Sequence, residues 1–291
     1  MTNIKDNRLI DGIVVKKRII AEVKQYTEKF TKMPSLVSIL IGDVPEAAVY
    51  VRNQARGAEQ AGMPFMQVNW PFDITQDECK ARILALNDDV AVLGIILQRP
   101  VPDHINVRSL QSAIHPLKDV EGMNPASIGN IVYSDVALAP CTAAASVALI
   151  KETGLKLEGL EVVMIGHSEI VGKPIAMMLM AEGCTVTVCH HMTRSVAMHS
   201  RRADVVVVAV GKAHLVKQDM IKPGAVVIDI GINQIDTPEG QKIVGDVDTD
   251  SVINIAGWIT PVPGGVGPVT VAILMRNAMV AHKRQISAGW L

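Results

Sequence analysis

A glycine turn between a strand pattern and a helix pattern is the part of this sequence that points most directly to chemistry. Val162–Ile165 is an apolar run, Gly166 follows it, and a helix pattern begins at Gly172. A helix N-terminus offers free N–H groups and the positive end of the helix dipole, which together favour a phosphate. A tight turn needs glycine for packing in any α/β protein, so the signal is not unique to nucleotides. Residues 162–174 therefore predict nucleotide binding, with a purely structural turn as the alternative.

Two further apolar runs that end in glycine support the nucleotide interpretation. Val208–Val210 leads to Gly211, and Val227–Ile230 leads to Gly231. Ligands of open α/β sheets collect at the carboxyl ends of the strands, where such glycines would lie. The pattern predicts several backbone turns around one binding site.

The end of the second strand of this unit bears on which dinucleotide is bound. An NAD site often places an acidic residue there to hold the ribose, but this strand ends in Cys189-His190-His191. Arg194 and the pair Arg201-Arg202 follow it. The arginines favour NADP, although solvated surface charges would look the same, and NAD stays open.

The same run, Cys189-His190-His191, contains residue types that bind metals. Adjacent residues on a strand point to opposite faces and make a poor chelate, so no metal site is predicted. None of the four cysteines forms a Cys-x-x-Cys pair. They are expected to be reduced thiols of a cytoplasmic protein.

Helix and strand patterns alternate along the chain and predict the elements that position these residues. Helices are predicted at Ile13–Phe30, Glu46–Gly62, Thr75–Asn87, Val107–Ile114, Thr142–Thr153, Gly172–Glu182 and Val269–Lys283. Strands are predicted at Ser35–Ile41, Pro64–Asn69, Val92–Gln98, Glu161–Ile165, Thr185–Cys189, Val205–Val210 and Ala225–Asp229. This alternation predicts an α/β fold with two domains, each built on a mainly parallel sheet, the C-terminal one of Rossmann type. The expected limits are 1–140 with 269–291 for one domain and 141–268 for the other.

Composition and charge exclude several classes of protein. The 291 residues carry a formal net charge of −1, which gives no support for binding to nucleic acid or to an anionic membrane. No apolar stretch is long enough to predict a transmembrane helix. Met1–Asp11 mixes basic and acidic residues, so no signal peptide is predicted.

Several short strings occur together, and in the same order, in one known family. The most specific string is Pro261-Val262-Pro263-Gly264-Gly265-Val266-Gly267-Pro268-x-Thr270. The others are Gly166-x-Ser168-x-x-Val171-Gly172-x-Pro174, Tyr50-Val51, Gln98-x-Pro100-x-Pro102, Lys118-Asp119-Val120, Pro140-Cys141-Thr142 and Gly245-Asp246-Val247. In these strings the chain resembles the methylenetetrahydrofolate dehydrogenase/methenyltetrahydrofolate cyclohydrolase family over nearly its whole length.

The resemblance implies two chemical steps on a tetrahydrofolate-type substrate. A hydride passes from 5,10-methylenetetrahydrofolate to NADP, and water then adds to the methenyl product. It also implies an N-terminal folate domain, a Rossmann domain, a cleft between them and a homodimer. The implied catalytic residues are Tyr50, Gln54, Gln98 and Glu121. The implied substrate-binding residues are Tyr50, Gln98, Pro100, Glu121, Pro263, Gly264 and Gly265. The implied cofactor-binding residues are Cys141, Thr142, Gly166, His167, Ser168, Val171, Gly172, Pro174, His190, His191, Val210, Gly211, Gly231 and Asp246.

Two departures from the family pattern fall on the implied catalytic residues. The family has Tyr-x-x-x-Lys, and here Tyr50 is kept while Gln54 occupies the lysine position. An amide takes no proton near neutral pH, so the hydration step is in question. Glu121 stands where the family has aspartate, and one extra methylene can shift the carboxylate by about an ångström, a misplacement that can cost on the order of a hundredfold in rate.

Further departures keep four functions open. They are Ala47, Arg99, Asn124, Ser127 and Ala143 in the folate half and its boundary, and His167 and His191 where a 2′-phosphate would be held. The first hypothesis is a methylenetetrahydrofolate dehydrogenase with cyclohydrolase activity weak or lost. The alternatives are a fully bifunctional enzyme, a paralogue that acts on another pterin one-carbon carrier, and a non-catalytic binding protein.

Overall fold

The computed structural model describes residues 8–45, 47–238 and 240–291. Its helices are α1 Gly12–Thr27, α2 Ala47–Gln60, α3 Gln76–Asp88, α4 Val107–Ala113, α5 Pro125–Val132, α6 Cys141–Glu152, α7 Gly172–Ala181, α8 Val196–Ser200, α9 Thr249–Val252 and α10 Val266–Ser287. Its strands are β1 Ser35–Ile41, β2 Phe65–Trp70, β3 Val92–Leu97, β4 Glu161–Ile165, β5 Thr185–Cys189, β6 Val205–Val208, β7 Val226–Asp229, β8 Asn233–Thr237, β9 Gly240–Val244 and β10 Trp258–Ile259.

Each predicted helix and strand has a counterpart, and the differences lie at the ends. The predicted helix start at Glu46 and most of Met1–Asp11 fall outside the described residues. The strand predicted to reach Val210 ends at Val208, and α10 begins at Val266 rather than at the predicted Val269. Within residues 8–45, 47–238 and 240–291, the sequence patterns do not predict six short elements, namely α5, α8, α9, β8, β9 and β10.

The chain divides into two compact units. The three-stranded unit comprises Lys17–Cys141 and Val271–Leu291, and the five-stranded unit comprises the segment up to Lys16 and Thr142–Thr270. The expected domain limits place residues 8–16 with the other unit. The reason for the difference is local, because the Ile10 N–H donates to the Ile259 carbonyl across 2.9 Å and Leu9 pairs with the same residue in a parallel bridge.

The three-stranded unit contains a parallel sheet in the order β2-β1-β3. Val37, Ile39 and Ile41 of the central strand enter one apolar core, while Leu40 packs in a separate cluster with Ala47 and Val51 of α2. Successive side chains of a strand alternate between its two faces. The face that carries Leu40 is therefore covered by α2, and this places α2 beside Ser38.

The start of α3 shows how local sequence determines one of the helix boundaries. Thr75 accepts a hydrogen bond from the Glu78 N–H at 3.2 Å, and the Glu78 carboxylate accepts from the Thr75 N–H at 3.0 Å. The two hydrogen bonds form a capping box, which satisfies two helix-end donors reciprocally.

The five-stranded unit contains a parallel sheet in the order β10-β7-β6-β4-β5. Its central strands are Val205–Val208 and Val226–Asp229, buried throughout, as expected for a sheet covered on both faces. β5 pairs with one edge of β4, and β6 pairs with the opposite edge. The strand order therefore reverses between β4 and β6. The two parallel sheets confirm the predicted fold class.

All four cysteines are unpaired, with Cys79, Cys184 and Cys189 buried and Cys141 half-buried. Within the described ranges, none of the helices has both the length and the apolar character needed to cross a membrane.

Candidate active site

A pair of side-chain amides lies between β1, β3 and α2 in the three-stranded unit. Ser38 is fully buried on the same face of β1 as Leu40. Gln54 follows Val51 by three residues on α2, so both side chains lie on the helix face that packs over that strand. Gln98 comes directly after β3 and extends the ladder, because its N–H donates to the Ile39 carbonyl at 3.0 Å.

These positions bring three polar side chains into direct contact. Gln98 Nε2 donates to Gln54 Oε1 across 2.6 Å and to Ser38 Oγ across 3.0 Å. Gln98 is only 8% exposed, so the contact is largely shielded from water. Two of the four implied catalytic residues thus form one hydrogen-bonded unit, and neither of them can exchange a proton near neutral pH.

The other implied residues near this pair are more open. Tyr50 lies one helical turn before Gln54, and its side chain is 55% exposed. Pro100 is exposed and follows Gln98 by two residues. Both are accessible to a ligand at this edge of the sheet.

Glu121 is held against β3 by a close backbone approach. A Cβ atom on Gly94 would lie 2.2 Å from Val120 Cγ1, so glycine is required in β3 for the segment before Glu121 to pack there. The Leu97 N–H donates to Glu121 Oε2 at 3.0 Å. Burial raises the pKa of Glu121 to about 7, against the opposing effects of this hydrogen bond and of Arg99. A half-buried carboxyl with a pKa near neutral therefore bonds to the backbone of Leu97, the residue before Gln98.

Several substituted positions have structural partners in the same unit. Asp119 accepts from the Asn124 N–H at 2.7 Å and from Ser127 Oγ at 2.7 Å. Asn124 also accepts from the Ala126 N–H at 2.7 Å as the N-cap of α5. Asn124 and Ser127 thus stabilise the loop that follows Asp119 and the first turn of α5.

Cys141, implied as cofactor-binding, contacts its own unit. Asn277 Nδ2 approaches Cys141 Sγ at 3.6 Å and donates to the Val120 and Ala139 carbonyls at 3.0 Å each. Burial raises the pKa of the Cys141 thiol well above its ordinary value. Thr142, the next residue, belongs to the five-stranded unit, where its carbonyl accepts from Ser146 Oγ.

The glycine turn after β4 has the geometry that the sequence predicts. A Cβ atom on Gly166 would lie 2.2 Å from the Ala209 carbonyl oxygen, and one on Gly172 would lie 2.2 Å from the Gly166 carbonyl oxygen. Gly166 has φ 122°, which favours glycine. Only residues without a side chain permit this packing between the ends of β4 and β6, where the strand order reverses and ligands of such sheets bind.

The expected free N–H groups at the start of α7 are not found. The Gly172 N–H donates to Ser168 Oγ at 3.4 Å, and the Lys173 N–H donates to the Ser168 carbonyl at 3.0 Å. Pro174 has no N–H, and Val171 is the N-cap residue. Ser168 thus already occupies the first two donors, although the helix dipole keeps its positive end there.

Asp246 fills a nest of backbone donors at the end of β6. Its carboxylate accepts from the N–H groups of Val210 at 2.6 Å, Gly211 at 3.0 Å and Lys212 at 2.8 Å. It also accepts from Asn233 Nδ2 at 2.9 Å. The Asp246 carboxylate thus binds the backbone of Val210 and Gly211. Because these N–H groups bond to Asp246 rather than to a neighbouring strand, β6 ends at Val208.

Asp229 fixes the segment that carries Asp246. Its carboxylate accepts from the N–H groups of Gly231 at 2.9 Å, Asp246 at 3.0 Å and Val247 at 2.8 Å. Burial, together with a smaller effect of the Asp246 charge, raises the pKa of Asp229 to about 6 against the lowering effect of the three backbone donors. Gly231, implied as cofactor-binding, is held by this carboxylate.

Three histidines of this unit lie close together, contrary to the expectation that neighbouring residues here point to opposite faces. His190 and His191 lie after the end of β5, so the alternation of strand side chains does not separate them. One ligand nitrogen of each comes within 4.8 Å of one from the other and from His167.

The proline–glycine string lies at the start of α10. Gly264 has φ 111°, and the Gly265 N–H donates to the Pro261 carbonyl at 2.8 Å. Gly12 packs on the string so closely that a Cβ atom there would lie 1.9 Å from the Gly265 carbonyl oxygen. Pro263 follows a cis peptide bond and is exposed.

The site residues named from the sequence fall into two groups. Tyr50, Gln54, Gln98, Pro100, Glu121 and Cys141 lie in the three-stranded unit, and the remaining ones lie in the five-stranded unit. Sequence reasoning missed Ser38 and Asp229. Each left a detectable signal, because Ser38 interrupts an apolar strand and Asp229 ends one.

A doubly wound parallel sheet with a glycine turn at the reversal of strand order is the architecture of nucleotide-binding α/β proteins. Two family models match the chain. Residues 10–121 match the tetrahydrofolate dehydrogenase/cyclohydrolase catalytic domain, and residues 140–286 match the NAD(P)-binding domain of the same family. The chain belongs to the tetrahydrofolate dehydrogenase/cyclohydrolase family, which confirms the resemblance and the prediction of a nicotinamide dinucleotide cofactor.

Individual relatives agree with this assignment. The chain is 76% identical over 287 residues to the bifunctional protein FolD 3 of Roseobacter denitrificans, covering 98% of this chain and 99% of that protein. It is 69% identical over 291 residues to the bifunctional protein FolD 2 of Ruegeria pomeroyi, covering 100% of both.

Solved structures agree as well. The crystal structure of the bifunctional methylenetetrahydrofolate dehydrogenase/cyclohydrolase FolD of Campylobacter jejuni has a TM-score of 0.90 at 39% identity, covering 95% of this chain and 99% of that one. The FolD of Trypanosoma brucei, complexed with NADP and an inhibitor, has a TM-score of 0.89 at 35% identity, covering 96% and 98%.

Proposed function

We propose that this chain oxidises 5,10-methylenetetrahydrofolate by hydride transfer to NADP, and that its cyclohydrolase activity is weak or lost. The family and its matched catalytic and NAD(P)-binding domains support the first part. The hydrogen bond between Gln98 and Gln54 supports the second and is the observation on which the proposal depends.

The residues of the five-stranded unit fit a bound dinucleotide. Gly166 and Gly172 allow the backbone at the ends of β4 and β6 to pack closely, and the turn formed in this way lies at the positive end of α7. His167, His191 and Arg194 follow β4 and β5 and could donate to a 2′-phosphate, which favours NADP over NAD. The nicotinamide ring, when bound, accepts the hydride.

The hydride step asks little acid–base chemistry of the protein. A proton and two electrons leave the methylene carbon together as hydride, and the carrier becomes the methenyl cation. The protein's part is to align the carrier and exclude water. Tyr50 is exposed for contact with a planar carrier, and the Gln98 amide is fixed by Ser38 and Gln54.

The hydration step makes a different demand. Water adds to the methenyl carbon, and a proton must leave that water before the formyl product forms. Gln54 Oε1 already accepts from Gln98 Nε2, and an amide does not take up a proton near neutral pH. The methenyl product should therefore accumulate.

One observation favours the bifunctional alternative. Glu121 lies beside Leu97 with its pKa raised by burial to about 7, so it is available as a base for part of its population at neutral pH. Relatives that are 69% and 76% identical are named bifunctional. In this alternative Glu121 takes the proton that the lysine of the family would manage.

The case for another pterin carrier is weaker. It relied on a cluster of substitutions that included Asn124, and this residue bonds to Asp119, Ala126 and the Ile114 carbonyl. Such contacts give Asn124 a structural role within the loop that precedes α5.

The decisive experiment supplies methylenetetrahydrofolate with NADP, and then with NAD, to the purified protein while methenyl absorbance is followed. Methenyl product that accumulates with NADP supports the proposal. Immediate conversion to the formyl product supports the Glu121 alternative and contradicts the loss of cyclohydrolase activity. Absence of cofactor reduction, with dinucleotide still binding, would contradict both.

A homodimer in the cytoplasm remains part of this proposal. Its support is the family resemblance. Light scattering on the purified chain tests the oligomeric state, and a monomer would contradict it.

A further inference from the structure

Three imidazole rings converge at the ends of two paired strands of the five-stranded unit. His167 comes two residues after the end of β4, and His190 and His191 come directly after β5, whose Cys189 pairs with Ile165. The ring centroids are 4.7 Å apart for His167 and His190, 6.0 Å for His167 and His191, and 5.8 Å for His190 and His191. One nitrogen from each ring lies within 4.8 Å of the others.

The backbone that carries these rings is held by short-range hydrogen bonds. The His190 N–H donates to Thr193 Oγ1 at 2.9 Å, and the Thr193 N–H donates back to the His190 carbonyl at 2.8 Å. The Gly166 N–H, next to His167, donates to the Cys189 carbonyl at 2.8 Å. The positions of the three residues are therefore largely fixed before any ligand binds.

We propose that His167, His190 and His191 bind a divalent transition-metal ion of the zinc class. Neutral imidazole is a preferred ligand of Zn²⁺, Co²⁺, Ni²⁺ and Cu²⁺. Zinc–nitrogen distances near 2.1 Å require ligand nitrogens about 3.4 Å apart, so the rings must close by about an ångström. His167 and His191 are exposed, and rotation of their side chains is unobstructed by a packed core. Three protein ligands leave one coordination position for water.

One existing contact opposes metal binding. The Met192 N–H donates to His190 Nδ1 across 3.2 Å. A metal-bound neutral imidazole carries a proton on its second nitrogen and cannot accept that bond. The ion must therefore displace a single long hydrogen bond, and the site should bind less tightly than a structural zinc site.

The neighbouring thiol of Cys189 is not one of the proposed metal ligands. Cys189 is 1% exposed and lies within β5, whereas the three rings follow the strand ends. A bound Co²⁺ ion should consequently show ligand-field bands without a thiolate charge-transfer band, a signature that separates this site from one that uses any of the four cysteines.

The test titrates the full chain, free of dinucleotide, with Co²⁺ and then Zn²⁺, following visible absorption and binding heat. We expect one ion per chain, displacement of Co²⁺ by Zn²⁺, and no thiolate band. His167→Ala and His191→Ala should each weaken binding at least about tenfold, since each removes one of three ligands. The control is His214→Asn, at an exposed histidine of the same unit whose φ of 53° asparagine tolerates.

Thermal unfolding separates the loss of a metal ligand from a general loss of stability. All variants should unfold at similar temperatures without metal, and Zn²⁺ should raise the midpoint of the wild-type chain and of His214→Asn only, because an ion that binds the folded state stabilises it. Binding that survives both alanine substitutions, a thiolate band, or no binding at all would overturn the proposal. The metal site does not depend on the proposed dehydrogenase activity, which is measured separately.

Discussion

Gln98 donates its side-chain N–H to the side-chain oxygen of Gln54 across 2.6 Å, so the position at which the family carries a lysine holds a bonded amide. A lysine at position 54 would place its ammonium group, which can only donate, opposite the side-chain N–H of Gln98, which also donates. The Gln98 amide would then have to rotate and present its oxygen, and Ser38 could follow because a hydroxyl both donates and accepts.

Restoring the lysine should not by itself restore hydration. Gln54→Lys is expected to raise the rate of methenyl hydrolysis by less than about tenfold. Gln54→Lys combined with Glu121→Asp should raise it by about a hundredfold, because the shorter side chain returns the carboxylate to the position that it has in the family. Loss of methenyl absorbance measures both rates. Asn53→Lys, an exposed change of equal charge on the same helix, is the control. Full restoration by the single change would show that the Glu121 position is not limiting.

Glu121 should make stability depend on pH. Its pKa is about 7 in the folded chain against an ordinary 4.5, so the native state binds more protons over that interval. The contribution of this group to stability is therefore complete below pH 4.5 and is lost as the pH rises through 7. Wild-type chain should lose more stability between pH 5 and 8 in urea unfolding than Glu121→Gln does. Glu59→Gln, an exposed carboxyl, should behave as wild type, and equal losses in all three proteins would rule out the raised pKa.

Asp246 should position the turn after β6. Asp246→Asn presents N–H groups to Val210, Gly211 or Lys212, and leaving such donors unpaired should lower the free energy of unfolding by about 3 kcal/mol. Dinucleotide binding should weaken in the fraction that stays folded. Denaturant unfolding and equilibrium dialysis measure the two effects. Asp250→Asn, exposed on α9, serves as the control, and an unaltered Asp246→Asn protein would contradict the positioning role.

The histidines should distinguish the two dinucleotides. Removing both His167 and His191 by substitution with alanine should raise the dissociation constant for NADP by about tenfold and leave that for NAD nearly unchanged, since only NADP has the 2′-phosphate. Fluorescence titration measures both constants, with His214→Asn as the matched control. Equal losses for NADP and NAD would indicate a general effect on the fold of the unit.

Local signals in the sequence were sufficient for most of the fold. Thr75 and Glu78 predict the start of α3 because both hydrogen bonds of the capping box form within four residues. The valine runs predict β6 and β7, and Gly166 and Gly172 predict the turn after β4. Short elements such as α8, with five residues, give too few periodic positions to be recognised.

Contacts across the sheets could not be predicted in this way. The Ser38–Gln98–Gln54 unit requires the order β2-β1-β3, which periodicity does not specify. The free N–H groups expected at α7 are taken by Ser168, whose backbone turns back on the helix start. The alternation of strand side chains does not predict the histidine cluster, because β5 ends before His190 and His191.

The carboxylate of Asp246 has a thermodynamic consequence for any ligand of the five-stranded unit. Val210, Gly211 and Lys212 lose their conformational freedom when the protein folds, because their N–H groups are bound to the protein itself. A ligand that arrives at this turn meets a surface that is already ordered. The entropy change on binding should therefore come from the ligand and its water, with little from this part of the chain.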